Sequence, residues 1–261
     1  MTDIQETELV PGAPAQLQGH AGLPALNDGW AVFLDVDGTL LDIALRPDAI
    51  VVPDGLPHDL RLLSAQLEGA LALVSGRSLA LLKRLFPDVP CSLAGLHGAE
   101  IEFPDGTSFT MPRSPEMDDA VRALVVTASQ WPGVVVEDKG AAFAAHYRLA
   151  PRFAAKVEEE MSSIAARLGD KVAVQKGKSV VEIRPSGHDK GQALKALMTG
   201  PPFVGRRPIA VGDDLTDEAM FEAANGLDGL SVRVGSPRAT LARLAVSSPS
   251  DVRSWIQSLV R

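Results

Sequence analysis

Apolar and polar positions along the chain follow two rhythms, and the point where one gives way to the other divides the sequence. From Trp30 the run Trp-Ala-Val-Phe-Leu-Asp-Val is short, apolar and followed by Gly38, the pattern of a central parallel strand buried on both faces. A helix is predicted over about Gly55–Glu68, with Leu56, Leu60, Leu63 and Leu67 on one stripe. A strand over 70–76, a short helix from Ser78 to about Phe86 stopped by Pro87, and a strand and turn over 91–98 come next. Asp105-Gly106 between alternating residues predicts a hairpin.

From about Pro112 the rhythm changes. A helix near Pro115–Gln130 leads into two strands about Lys139-Gly140, then an amphipathic helix over about Pro151–Leu168. Two further strands, 171–175 and 179–185, flank a turn at Lys176–Lys178. Antiparallel pairs with helices are an α+β pattern, unlike the strand–helix alternation on either side. The alternation returns with a helix over about Lys190–Met198, a strand over 208–214 and a helix over about Asp217–Ala224. A strand over 229–235 and a helix over Pro249–Val260 close the chain. The predicted fold class is α/β: a doubly wound parallel-sheet core, 29–111 and 187–261, interrupted by an inserted α+β cap, 112–186. Residues 1–28 lack a sustained period and are expected to form a flexible leader.

Composition narrows the function. At 261 residues the chain can bury a sizeable core, and with aromatics at 5% that core is built mainly of Leu, Val, Ala and Ile. A net charge of -8 argues against a nucleic-acid or membrane-surface partner, yet leaves room for a local cationic pocket that takes a small anion. No apolar stretch approaches the roughly 20 residues that span a bilayer. One cysteine, Cys91, and an acidic N-terminus without a basic leader point to a cytoplasmic setting, and a monomer is expected.

Four predicted core strands end in polar residues: Asp35-Val-Asp37-Gly38-Thr39, Ser75-Gly76-Arg77, the His188–Lys190 segment before a helix, and Gly212-Asp213-Asp214-Leu-Thr-Asp217. Ligands bind beyond the carboxyl ends of strands in open parallel sheets, so these distant segments are expected to converge on one site. Asp213, Asp214 and Asp217 with Asp35 form a set of hard oxygens that repel one another without a cation, and Mg²⁺ is the natural occupant. Taken alone, the acidic run has a second reading, a helix N-terminus favoured by capping and the macrodipole. Ser75 leaves its strand at a glycine turn and can offer its hydroxyl and amide to a phosphate oxygen. A lysine at a helix start is slightly disfavoured, which a nearby phosphoryl group would explain for Lys190. Between the first two aspartates, Val36 is expected to pack and Thr39 to fix the loop.

In order and nearly spanning the chain, these motifs resemble the haloacid dehalogenase superfamily of phosphotransferases. The blocks DVDGTLL, VSGR, LAGLHGAEIE, VEDKG…HYR, VEIRP…DKG and GDDLTDE further resemble the trehalose-6-phosphate phosphatase family. That resemblance implies hydrolysis of trehalose 6-phosphate. Asp35 would be the nucleophile that becomes an aspartyl-phosphate, and Asp37 the general acid and base. Ser75 and Lys190 would stabilise the transferring phosphoryl group. It implies Mg²⁺ held by Asp35, Asp213 and the Asp37 carbonyl, with help from Asp214 or Asp217. Gly76 and Arg77, His97 and Gly98 at the cap–core junction, and Glu137, Lys139 and Glu182 from the cap would bind substrate. His146 and Arg148 read equally as structural props or site residues, and Glu182 would on its own be as often an exposed strand position.

Other capped phosphatases of the superfamily, a phosphomannomutase-like enzyme, or a non-catalytic sugar-phosphate sensor are the alternatives, and the presence of Asp35, Asp37, Lys190 and Asp213 argues against the sensor, which needs no nucleophile. Three different chemistries fail. Lys176–Ser179 suggests a phosphate-binding loop, but Val172 stands where the first glycine is required and a strand follows. There is no Gly-x-Ser-x-Gly elbow, and the five histidines lack zinc-ligand spacing.

Overall fold

The structure, a computed structural model, describes residues 12–43, 50–177, 179–236 and 238–261. The start of the expected leader, before residue 12, and Lys178 of the expected turn lie outside the described residues. Strands are β1 (Ala15–Gln16), β2 (Trp30–Leu34), β3 (Leu71–Val74), β4 (Ser92–Gly95), β5 (Glu100–Glu102), β6 (Ser108–Thr110), β7 (Val135–Asp138), β8 (Phe143–His146), β9 (Val172–Gly177), β10 (Val180–Pro185), β11 (Arg207–Gly212), β12 (Leu230–Val234) and β13 (Leu244–Val246). Helices are α1 (Leu56–Gln66), α2 (Leu79–Leu85), α3 (Pro115–Ala128), α4 (Ala154–Leu168), α5 (Lys190–Met198), α6 (Glu218–Gly226) and α7 (Pro249–Leu259). No helix among the described residues is long and apolar enough to cross a membrane.

Among the described residues one sheet runs β1-β13-β12-β11-β2-β3-β4-β5-β6. It is parallel from β1 to β4, and β5 and β6 add an antiparallel hairpin with Glu102 opposite Ser108. Chain order reverses at β2: β3 and β4 lie to one side, β11, β12 and β13 to the other. Right-handed crossovers leaving in opposite directions put their helices on opposite faces, so α1 pairs with α7 and α5 with α6 as two separate covers. Phe33, Leu34, Leu71, Leu73, Val211 and Val232 are fully buried between them, as continuous apolar strands covered on both faces must be. The reversal opens a crevice at the carboxyl end of β2, where the chain reaches Asp35.

Between β6 and α5 a second sheet, β7-β8-β10-β9, is antiparallel throughout. Strand alternation divides its faces. Phe143, Ala145, Val181 and Ile183 pack on Val121 and Leu124 of α3 and Val157, Met161 and Ile164 of α4, while Ala144, His146, Glu182 and Arg184 point the other way.

The sequence reading needs correction at the leader. Residues 15–28 are not loose: β1 pairs in parallel with β13 through Ala15–Leu244 and Gln16–Ala245. Leu26 is buried, and the Trp255 indole donates to the Pro24 carbonyl at 3.0 Å. Neither β1 nor β13 was expected, because strands of two and three residues carry no period to read.

Candidate active site

Past Leu34 the ladder continues for one bond, Asp35 N–H to Val211 O at 2.9 Å, and then the chain turns back on itself. Leu40 and Leu41 donate to the Val36 carbonyl and Gly38 donates to Leu41, closing the loop with backbone alone. Thr39 does not fix it. Its hydroxyl is fully buried with no partner among the described residues. Val36 is core, as expected. Gly38 is required twice over, by a φ of 82° and because a Cβ there would lie 2.2 Å from Asp213 Oδ2.

This turn sends the two aspartates to different partners. Asp35 is 4% exposed and its Oδ1 accepts from Lys190 Nζ at 2.6 Å. Asp37 is held by Arg77, whose Nε and Nη2 reach its two oxygens at 2.5 and 2.7 Å, a bidentate pair. Lys190 opens α5 behind Asp189, which caps the helix by accepting from Gln192 N at 2.8 Å. Its ammonium bridges Asp35 and Asp217, at 2.6 Å from each. One carboxylate oxygen from each of Asp35, Asp213 and Asp217 lies within 4.8 Å of the others.

Asp217 supports the loop. Its Oδ2 accepts from the Asp213 and Asp214 amides at 2.9 Å each, and a Cβ on Gly212 would fall 2.2 Å from its Cγ. Asp214 is turned to the Leu215 amide as the cap of the following turn. The carboxylates of Asp37 and Asp214 stand outside the three-acid group, although both residues line the same cavity. Arg233, buried on β12, was not singled out from the sequence; its Nη1 donates to the Asp213 carbonyl at 3.0 Å.

Burial governs the protonation of this cluster. It raises Asp35 well above the ordinary carboxylate range against the pull of Lys190, with Asp217 and Asp213 adding to the rise. Burial and then Asp217 lift Asp213 to about 6. Burial depresses Lys190, but Asp217 and Asp35 outweigh it and keep the ammonium charged above its usual range. Two buried acids, Asp35 and Asp217, and the half-buried Asp213 thus surround one buried ammonium. Their hard oxygens suit a divalent cation.

Ser75 is buried at the end of β3, with its amide on Ala94 O and its Oγ accepting from the Arg77 amide at 3.2 Å. The Ser75 carbonyl in turn receives the amide of His97, a residue held at φ 57°. The His97 ring lies against Gly76, where a Cβ would meet Nε2 at 2.7 Å. Its Nδ1 is buried without a partner among the described residues, and burial, then the cations Lys190, Arg184 and Lys139, hold the imidazole well below its usual pKa and neutral. Gly98 does not line the cavity; its Cα faces Ala193 of α5.

Opposite this floor, the cap sheet supplies the other wall of a cavity of about 320 Å³. Lys139 donates to Glu182 Oε2 at 2.5 Å, and the second Glu182 oxygen is buried and unpartnered among the described residues. His146 Nε2 meets Glu137 at 2.8 Å, and that hydrogen bond, against the desolvation of the acid, holds Glu137 below the ordinary carboxylate range. Arg148 is exposed. Gln175, Thr216, Leu81 and Ile43 also line the cavity and were not anticipated.

A reversed parallel sheet with a buried carboxylate at the reversal, a buried ammonium beside it and an inserted cap defines the class: a haloacid dehalogenase-type fold. Within it the chain belongs to the trehalose-phosphatase family, whose model matches residues 33–250. The chain is similar to the probable trehalose-phosphate phosphatase of Sinorhizobium fredii, 47% identical over 258 residues and 97% of each chain. It is similar to the trehalose-6-phosphate phosphatase of Escherichia coli, 42% identical over 90% of this chain and 88% of that one. Among solved structures it resembles a trehalose-6-phosphate phosphatase related protein, at 26% identity and a TM-score of 0.76 over 88% of this chain and 96% of that one.

Proposed function

We propose that the protein hydrolyses trehalose 6-phosphate to trehalose and inorganic phosphate. What carries this reading is the facing of two unlike walls: the buried Asp35–Lys190–Asp217 triad on the core, and the hydroxyl-seeking Glu137, Lys139 and Glu182 on the cap. The first suits a phosphoryl group and the second a polyhydroxyl leaving group.

In the first step an oxygen of Asp35 attacks phosphorus and the bond from phosphorus to the sugar oxygen breaks, leaving an aspartyl-phosphate. Asp37 gives its proton to the departing oxygen. In the second step Asp37 takes a proton from water as that water attacks the same phosphorus, and Asp35 leaves as a carboxylate with phosphate released. Lys190 and the Ser75 hydroxyl steady the equatorial oxygens, whose charge is greatest at the transition state; the Ser75 amide, expected from the sequence to join them, is committed to the Ala94 carbonyl instead. Arg77, bonded to both Asp37 oxygens, keeps its hold on one of them while the other turns to the substrate oxygen.

Mg²⁺ fits the excess of buried carboxylates over ammonium, with Asp35, Asp213 and the Asp37 carbonyl as its holders; when bound, it supplies Lewis-acid screening of the phosphate charge. Asp217 acts through others, since both of its oxygens are engaged by Lys190 and the loop amides. A cytoplasmic setting, where the sole cysteine Cys91 stays a buried thiol, completes the proposal. Phosphate release from trehalose 6-phosphate with Mg²⁺, and its loss in EDTA, tests the reading. Tight binding with no release would replace it with a sensor.

A further inference from the structure

One row of the cap sheet carries three residues that line the cavity, Glu137, Glu182 and Gln175. Glu137 on β7 stands opposite Ala144 on β8, Ala144 opposite Glu182 on β10, and Glu182 opposite Gln175 on β9. Directly opposed residues of antiparallel strands share a face, so carboxylate, methyl, carboxylate and carboxamide lie side by side across all four strands. Three strand spacings make the row about 14 Å long, more than one pyranose ring needs.

Gln175 is oriented by its neighbour. Arg184 Nε donates to Gln175 Oε1 at 3.2 Å, and another guanidinium nitrogen donates to the His188 carbonyl in the segment leading to Lys190. A guanidinium only donates, so the amide oxygen of Gln175 must turn toward it and the NH₂ group is left for the cavity, which Gln175 lines. Beside it, Glu182 Oε1 is an acceptor in a residue only 7% exposed, with no partner among the described residues. A donor next to an unused acceptor matches two adjacent hydroxyls.

Resting on the trehalose 6-phosphate reading, we infer that Gln175, held by Arg184 as a positioning residue, is a specificity residue that reads sugar hydroxyls together with Glu182. It selects a disaccharide phosphate over smaller phosphate esters. The row reaches past Glu182 to a second ring, where a monosaccharide or aryl phosphate anchored at Asp35 presents nothing.

The test is the ratio of kcat/KM for trehalose 6-phosphate to that for p-nitrophenyl phosphate, in the full-length enzyme with Mg²⁺. Gln175→Ala and Gln175→Glu should each lower this ratio about fivefold, the value of one neutral hydrogen bond, chiefly through KM for the sugar. Arg184→Met should lower it less, with KM again moving more than kcat. Thermal melts identify any variant that fails to fold, and Gln175→Glu, close in size to the native residue, then carries the test. A ratio within twofold of wild type in Gln175→Ala, or an equal loss on both esters, overturns the inference. A wild type that shows no preference for the disaccharide overturns the underlying reading as well, whereas a selective wild type with unaltered variants sinks the inference alone.

Discussion

Arg77 holds both carboxylate oxygens of Asp37, at 2.5 and 2.7 Å, while Asp35 two residues earlier is buried against Lys190. A guanidinium fork fixes a carboxylate in plane as a point charge does not. Replacing Arg77 with Ala should therefore cost about 10–100-fold in kcat, less than the roughly 10²–10⁴-fold of a whole general acid–base contribution, by freeing Asp37 to wander. Arg77→Lys should recover only part. Steady-state phosphate release decides, and a wild-type kcat in Arg77→Ala would show that the pair is idle.

Asp35→Asn separates chemistry from folding. Burial raises the pKa of this acid in the folded state, so the folded form binds its proton more tightly and the ionised carboxylate weakens the fold above the unfolded pKa. The amide removes that cost while Lys190 keeps Asp217. Turnover and phosphorylated enzyme should vanish with a melting temperature equal to or above that of wild type in metal-free buffer. Substantial residual turnover would remove Asp35 from the nucleophile role.

Lys190 behaves in the opposite sense. Taking away the one ammonium leaves buried carboxylates uncompensated, a loss of about 3–5 kcal/mol by analogy with other broken buried pairs. Lys190→Met should show that loss in urea denaturation without divalent cation, and a smaller one when millimolar Mg²⁺ shares the charge. An equal loss in both conditions would argue that no cation joins the cluster.

At Gly38 the chain has no freedom to accept a side chain. A positive φ and a Cβ position 2.2 Å from Asp213 Oδ2 both oppose Gly38→Ala. The variant should lose about 1–3 kcal/mol of stability as backbone strain and most of its activity as Asp213 is displaced. Kinetics matching wild type would mean that Asp213 stands elsewhere during turnover.

The polar ends of apolar strands were legible because a parallel sheet buried on both faces tolerates carboxylates only where it opens, at the crevice. Asp35, Ser75, Lys190 and Asp213 each stand at such an end or beside it. The pairing of Asp37 with Arg77 was not legible, since it joins residues 40 positions apart through a turn whose shape no period encodes. That Asp214 caps the turn before α6 was not separable from a metal role, because an acidic helix start and a metal cluster share the same residues and only geometry shows the capping bond. Gln175 was hidden for another reason. Its place beside Glu182 depends on the register of β9 on β10, and a single strand does not reveal its partner's register.

A cap that chooses a disaccharide for a phosphoryl-transfer floor must separate two sugars that carry the same phosphate. The direct measurement is kcat/KM of the wild-type enzyme with Mg²⁺ on trehalose 6-phosphate and on glucose 6-phosphate, side by side. A preference for trehalose 6-phosphate of at least about 100-fold is expected, as a site built to bond hydroxyls rejects substrates that leave its polar groups unpaired. Equal values on the two sugars would contradict it.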